Sequence, residues 1–251
     1  FRRVLFRSVS PTVKMGDGSA GEDIPGVFGE KRLVQGSQPI VASDGTVWVA
    51  WLDTTDDDSQ KGIGEIHVAS STDKGATFTP DVVASTFNEI AYRPRSGFFR
   101  YWASEFPQLA IGPDDQLYIA YAAKPSDRPR DDADVWLVRS DDGETWSRPT
   151  RLNGDDSSAP QFLPAIDVAP DGSIHAMWAD MRDDPYEVRY HVYYTRSDDG
   201  GESWTRVSND SALWGRGWYF EKLAVDPQNP DVVYVPNVAV SRTKDGGKTW
   251  V

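Results

Sequence analysis

The 251-residue chain contains no cysteine, only three methionines and only three histidines. The absence of cysteine excludes disulfides, thiolate nucleophiles and Cys-ligated zinc. It leaves the compartment open, because secreted chains can lack cysteine as well. No apolar run approaches the roughly 18 residues needed to cross a bilayer. No long stretch carries apolar residues at i, i+3, i+4 and i+7, the pattern of an amphipathic helix. Positive charge is also scarce: 26 Lys and Arg stand against 39 Asp and Glu, a formal net charge of −13. An acidic surface repels phosphate backbones and anionic headgroups, so the sequence predicts no nucleic-acid partner and no membrane insertion.

What is present suits short strands and tight turns. There are ten Trp, ten Tyr and ten Phe, with 21 Gly and 17 Pro, a composition that favours half-buried pleated surfaces and frequent chain reversals. The run Val47-Trp48-Val49-Ala50-Trp51-Leu52 is β-branched or aromatic along most of its length and is closed by turn residues, which reads as a buried strand.

One pattern recurs four times. Ser71-Thr72-Asp73-Lys74-Gly75-Ala76-Thr77-Phe78 returns as Ser197-Asp198-Asp199-Gly200-Gly201-Glu202-Ser203-Trp204 and as Thr243-Lys244-Asp245-Gly246-Gly247-Lys248-Thr249-Trp250. A copy one residue shorter is Ser140-Asp141-Asp142-Gly143-Glu144-Thr145-Trp146. In each, the hydroxyl and the carboxylate can bond backbone groups inside a turn, glycine permits a positive φ, and the closing aromatic opens the next strand. Asp73, Asp142, Asp199 and Asp245 are therefore read as structural, together with Gly75, Gly143, Gly201 and Gly247. Two strands joined by a short turn precede every copy, one strand enters it and one leaves it. Four strands per unit is the plan of a propeller blade.

This pattern resembles the Asp box, S/T-x-D-x-G-x-T/S-W/F, of the sialidase-like superfamily of BNR-repeat propellers. The last unit, from Asp226 to Trp250, is also similar to sortilin-type propellers. The resemblance implies an all-β propeller of four-stranded antiparallel blades, with about four blades of a six-, seven-bladed or larger ring in this chain. The blades are expected at about 36–85, 104–153, 160–209 and 217–251, after an entry segment at 9–35. Residues 1–8 read either as a basic strand or as a non-native leader, since residues 3–8 match the translation of a sequencing adapter; the leader is the expectation. The resemblance further implies a glycan-directed protein, extracellular or periplasmic, with a glycan or glycoprotein as ligand. It would be an exo-acting glycoside hydrolase on acidic glycans or an inactive relative of one. The alternative is a non-catalytic, sortilin-like or lectin-like binding propeller.

The boxes at Asp73, Asp142, Asp199 and Asp245 are 69, 57 and 46 residues apart, so the excess length sits in loops on the face opposite the boxes, where function is expected. On the stretches that open blades, sialidases carry an Arg-Ile-Pro motif. Here the equivalents are Ser37-Gln38-Pro39, Glu105-Phe106-Pro107 and Phe162-Leu163-Pro164, without the arginine. Ligand-binding candidates are Arg93, Arg95, Arg100, Tyr101 and Trp102 in one loop, Arg182 in another, and Arg216 and Trp218 in a third, because arginine pairs with carboxylates and aromatic faces stack on sugars. Catalytic candidates are Asp57, Asp180, Tyr219 and Glu221. Against these stand plainer explanations: a solvated turn for the acidic run from Asp53 to Asp58, a mutual ion pair for Asp180 and Arg182, and strand alternation for Tyr219 and Glu221. No cofactor or resident metal is expected, although the acidic loops offer the oxygen ligands that calcium takes. His67, His175 and His191 lack metal-ligand spacing and are expected to be structural.

Overall fold

The computed structural model describes residues 34–53, 62–90, 105–187, 189–208, 222–236 and 240–251. All regular structure among them is β. Blade one comprises β1 (Val34–Val41), β2 (Val47–Asp53), β3 (Ile63–Ser71) and β4 (Val82–Asn88). Blade two comprises β5 (Gln108–Ile111), β6 (Leu117–Ala123), β7 (Asp134–Ser140) and β8 (Thr150–Arg151). Blade three comprises β9 (Gln161–Val168), β10 (Ile174–Asp180), β11 (His191–Ser197) and β12 (Thr205–Ser208). The fourth sheet holds β13 (Ala224–Asp226), β14 (Asn229–Pro236) and β15 (Val240–Thr243). Each sheet is an antiparallel meander in sequence order.

The second strands of blades two and three are sandwiched between neighbouring blades, which is why their sequences are continuous apolar runs rather than alternating ones. All seven residues of β6 and of β10 are buried. One apolar cluster joins Ala50, Leu52, Ile66 and Phe87 of blade one to Ile119, Tyr121 and Val138 of blade two. A second joins blades two and three through Tyr118, Leu137, Ile166, Trp178 and Tyr193. A third carries blade three onto β14 through Met177, Tyr194, Val233 and Val235. At roughly 1.5–3 kcal/mol for each large side chain fully buried, these faces between blades form the core. Lys222, just before β13, donates to Gln38 Oε1 at 3.0 Å and to Gln108 Oε1 at 2.9 Å, so the fourth sheet is bonded to the first strands of blades one and two.

The hairpin of the fourth sheet turns earlier than the sequence suggests. Asp226 pairs with Asn229, leaving Pro227 and Gln228 in the turn, ahead of the turn-forming dipeptide Asn229-Pro230. The cause is local: Asp226 Oδ1 accepts from the Gln228 amide at 2.8 Å, and Asn229 Oδ1 accepts from the Asp231 amide at 3.0 Å. The aspartate therefore closes the turn and the asparagine is freed to start the strand.

All four boxes are hairpin turns built alike. In the first, Ser71 Oγ donates to Asp73 Oδ1 at 2.7 Å and accepts from the Gly75 amide at 2.8 Å. Asp73 also accepts from the Thr77 amide at 2.8 Å and its hydroxyl at 2.7 Å. Equivalent bonds surround Asp199 and Asp245. The shortened copy keeps the scheme, with Asp142 Oδ1 accepting from the amides of Glu144 and Thr145. Donors around a carboxylate favour its charged form. The Thr77 hydroxyl first, then the Thr77 amide and Ser71, hold Asp73 down at about 2; Asp245 is held at about 2, with Thr249 the leading cause. Each box Trp closes its turn through indole N–H: Trp146 donates to Gly143 O, Trp204 to Gly201 O and Trp250 to Gly247 O, at 3.0–3.2 Å.

The box glycines also seat the preceding blade. A Cβ on Gly143 would collide with the Trp48 indole of blade one, one on Gly201 would lie 2.9 Å from Leu137 of blade two, and one on Gly247 would collide with the Tyr194 ring of blade three. Gly75, in blade one, has no described atom within 4 Å of that position. All four have positive φ, from 74° to 94°. Gly75→Ala should therefore cost only the left-handed backbone penalty, about 1–2 kcal/mol, while Gly143→Ala adds the displacement of Trp48 and should cost at least about 2 kcal/mol more. Urea unfolding of the two variants reads the difference, and equal midpoints would show that Gly143 seats nothing.

Candidate functional site

The two ends of the blades differ in what they do with polar groups. At the box end, the first turns and the boxes bond blade to blade. Ser43 donates its amide at 2.8 Å and its hydroxyl at 2.5 Å to Asp115 of blade two. Arg139 of blade two donates to Gly200 O in the box of blade three at 2.6 Å, and Arg196 of blade three reaches Asp231 of the fourth sheet at 3.3 Å. The longer connections, 54–62, 89–107, 124–133 and 209–223, all leave from the opposite end.

At that opposite end a buried polar network joins blades two and three. Asp180, the last residue of β10, is fully buried. Its Oδ1 accepts from Arg182 N and Nε, both at 2.9 Å, and its Oδ2 from Arg182 Nη2 at 2.5 Å and Trp178 Nε1 at 2.8 Å. Arg182 pairs in addition with Asp155 Oδ1 at 3.2 Å, and its guanidinium lies 4.4 Å from the centre of the Tyr193 ring. Asn153 Nδ2 donates to Asp155 Oδ1 at 3.0 Å, to Gln161 Oε1 at 2.9 Å and to Asp134, while Asn153 Oδ1 takes the Val135 amide at 2.8 Å. Asp134, at the start of β7 and fully buried, pairs with Arg128 at 2.5 Å, and Arg128 also meets Asp131 at 2.9 Å. Burial first, then the charge of Asp134, pushes the Asp131 carboxyl up to about 6.

Asp180 and Arg182 are thus brought together as an ion pair inside this network. A carboxylate enclosed on all sides by donors cannot reach a substrate, and a guanidinium shared by two carboxylates has little charge left for a ligand. Asp57, Arg93, Arg95, Arg100, Tyr101, Trp102, Arg216, Trp218, Tyr219 and Glu221 lie outside the described residues, as does the acidic run from Thr54 onward. Asp53 itself ends β2 and is buried. Sequence reading missed Asp131, Asp134, Asn153, Asp155 and Gln161. The available signal was the position of Asp134 and Asp180 at the ends of otherwise apolar strands.

The histidines are engaged separately. His67 Nδ1 meets Asp81 at 2.5 Å and its Nε2 meets Glu65 at 3.1 Å. His191 Nδ1 lies 3.1 Å from Asp183. His175 is fully buried on β10, between Tyr194 Oη at 2.5 Å and Ser173 Oγ at 3.1 Å. Among the described residues no group of His, Asp and Glu is arranged to hold a metal ion, and no helix is long and apolar enough to cross a membrane.

Strand order, the repeated turns and packing between blades define the fold as a β-propeller. The chain matches no protein-family model and no curated protein. Among solved structures, it is similar to a Hadza microbial sialidase, with TM-score 0.59 and 20% identity over 87% of this chain and 46% of that one. It is also similar to the Penicillium chrysogenum α-L-arabinanase complexed with arabinobiose, with TM-score 0.57 and 15% identity over 88% of this chain and 63% of that one. A third is the polysaccharide lyase Uly1, with TM-score 0.56 and 11% identity over 86% and 48%. The chain therefore spans about half to two thirds of the length of these structures.

Two outcomes follow from this geometry. Asp180→Ala leaves Arg182 facing Asp155 alone and strips Trp178 of its acceptor, so it should destabilise the fold by about 3–5 kcal/mol; a loss under 1 kcal/mol in urea unfolding would show the network to be slack. His175 is pushed down from 6.5 to about 4, by burial first and then by Arg196. The unfolded chain then binds the extra proton between those values, so stability is lost as pH falls from about 6.5 to 4, by roughly 3 kcal/mol in total. His175→Gln should remove that component of the pH dependence, and an unchanged slope would place the acid sensitivity elsewhere.

Proposed function

We propose that this chain is part of a glycan-directed propeller whose ligand face is the one opposite the Asp boxes, and that it acts as a sialidase-type exo-glycoside hydrolase on acidic glycans or as an inactive relative of one. The observation that carries the reading is the asymmetry of the two ends. The box end spends its polar groups on turns and on bonds between blades, whereas the other end gathers the long connections around a network that is already assembled. Those connections include Arg93, Arg95, Arg100, Tyr101, Trp102, Arg216 and Trp218, which would pair with a carboxylate and stack on a sugar ring. The sialidase, arabinanase and polysaccharide lyase named above support a carbohydrate as the ligand. An exported location and a glycoprotein partner accord with the same reading.

A non-catalytic binding propeller is the second reading, and one observation favours it. Asp180, the described member of the catalytic candidates, is enclosed and already donor-bound. Chemistry would then fall to Asp57, Tyr219 and Glu221, with Tyr219 as nucleophile and Glu221 as its base.

Titration calorimetry with 3′-sialyllactose, tetragalacturonate and neutral arabinotetraose tests the ligand class. Arg100→Ala and Arg216→Ala should each weaken the acidic glycan by about 1.5–3 kcal/mol, while Asp199→Ala should lower the melting temperature and leave the affinity of the folded fraction intact. Unchanged affinity in both arginine variants would move the site off this face. Release of product from a fluorogenic sialoside, abolished by Tyr219→Phe, separates the enzyme from the binding protein.

A further inference from the structure

A separate cavity opens on the outer rim between blades one and two. Its volume is about 450 Å³, within the roughly 300–1,000 Å³ usual for small-molecule sites. One wall is the outermost strand of blade one, through Thr86, Phe87 and Asn88; the other is blade two, through Tyr121, Lys124, Trp136 and Arg148. Phe87 and Tyr121 are packed 5.2 Å apart, centre to centre. Tyr121 Oη is fixed on Ser85 Oγ at 2.7 Å, and Trp136 Nε1 donates to Ala123 O at 3.2 Å. The aromatic walls are therefore held in place before any ligand arrives, which lowers the ordering cost of binding.

The charge of this cavity is opposite to that of the chain. Asp and Glu outnumber Lys and Arg by 39 to 26 overall, yet among the described residues no carboxylate lines the cavity and two cations do, Lys124 and Arg148. Among the described residues neither forms an ion pair, in contrast to Arg128, Arg182 and Arg196. Thr86 and Asn88 add hydroxyl and amide groups at the mouth. Flat aromatic walls, neutral polar groups and unpaired cations together match a pyranose ring that carries a carboxylate: C–H faces against the rings, hydroxyls to Thr86 and Asn88, the carboxylate to Lys124 and Arg148.

We infer that this rim cavity is an accessory, non-catalytic subsite for one or two carboxylate-bearing residues of an acidic polysaccharide, built from residues other than the loop arginines and aromatics proposed above. It rests on the glycan reading and adds a second point of attachment along the same chain, which raises overall affinity through effective concentration when both are engaged. The cavity lies between β4 and β7, and Lys124 in its lining opens the connection from β6 to β7.

Calorimetry of this chain with tetragalacturonate, its carboxyl-reduced neutral counterpart and tetraglutamate tests the inference. The acidic sugar should bind, the reduced sugar about tenfold more weakly, and tetraglutamate not measurably. Lys124→Gln with Arg148→Gln, both in the cavity lining, should weaken the acidic sugar about tenfold and leave the reduced sugar unchanged. Trp136→Phe, which keeps a ring but loses area, should weaken both sugars. Tetragalacturonate binding that the double variant leaves unaltered, but that Arg100→Ala removes, overturns the rim subsite and spares the loop-face reading. Binding lost in the double variant and untouched by Arg100→Ala supports the rim subsite and tells against the loop face. Equal binding of tetraglutamate would reduce the cavity to a general anion site and overturn the assignment to sugar.

Discussion

Each blade of this protein is held by a side chain pressed into the turn of the next one. Trp48, Leu137 and Tyr194 come from blades one, two and three, and meet Gly143, Gly201 and Gly247 of the boxes that follow. The contact needs glycine for two reasons at once, a positive φ and the absence of a Cβ. It needs the aspartate as well, because only a turn whose backbone amides are already bonded can be covered by an apolar ring without stranding donors. The aspartate, glycine and tryptophan of the repeat are therefore one device: the carboxylate shapes the turn, the glycine admits the neighbouring blade, and the indole locks the glycine carbonyl from beneath. A four-stranded sheet alone has two apolar faces. Stacking against neighbours through this device is what buries them.

The same constraint explains the division between the two ends of the barrel of blades. Box turns are short and tied to their neighbours. At the other end the connections are long, and a core made of apolar faces stops abruptly where strands β7 and β10 terminate in Asp134 and Asp180. Charges buried at that depth are costly unless every lone pair is met. The network meets them with two arginines, an asparagine, a glutamine and an indole N–H drawn from blades two and three. Such a lattice stabilises little relative to an apolar substitute, but it fixes the angle between the two blades and the platform from which the long connections start.

Much of the fold was legible because it is written locally. Short β-branched or aromatic runs, turn residues and the repeated box specify strands and hairpins within a dozen residues of one another. The hairpin at Asp226 escaped because two turn-forming residues, Asp226 and Asn229, compete within four positions, and the choice between them rests on which side chain caps which amide. The polar network escaped for a different reason. Asp134, Asn153, Gln161 and Asp180 are distant in sequence and share no spacing, and they converge only once blades two and three are packed. The seats for Trp48 and Tyr194 are likewise products of packing, although the glycine that receives each is visible in the motif.

The net charge of −13 bears on any acidic ligand in a way that local geometry resolves. At physiological salt, charges more than about 8–10 Å apart are largely screened, so the many surface carboxylates slow the approach of an anion without setting its final affinity. Affinity is decided by the groups within a few ångströms. At the box turns the carboxylates keep their charge but are occupied by amide and hydroxyl donors, and in the network they are paired with Arg128 and Arg182. Under the rim-subsite proposal, Lys124 and Arg148, which pair with no carboxylate among the described residues, would be the places where an anionic sugar gains more than it loses. Added salt would act on the two steps with opposite sign, easing encounter while weakening the contact, and that pairing distinguishes a specific acidic-glycan site in an acidic protein from the counterion-driven binding of a basic one.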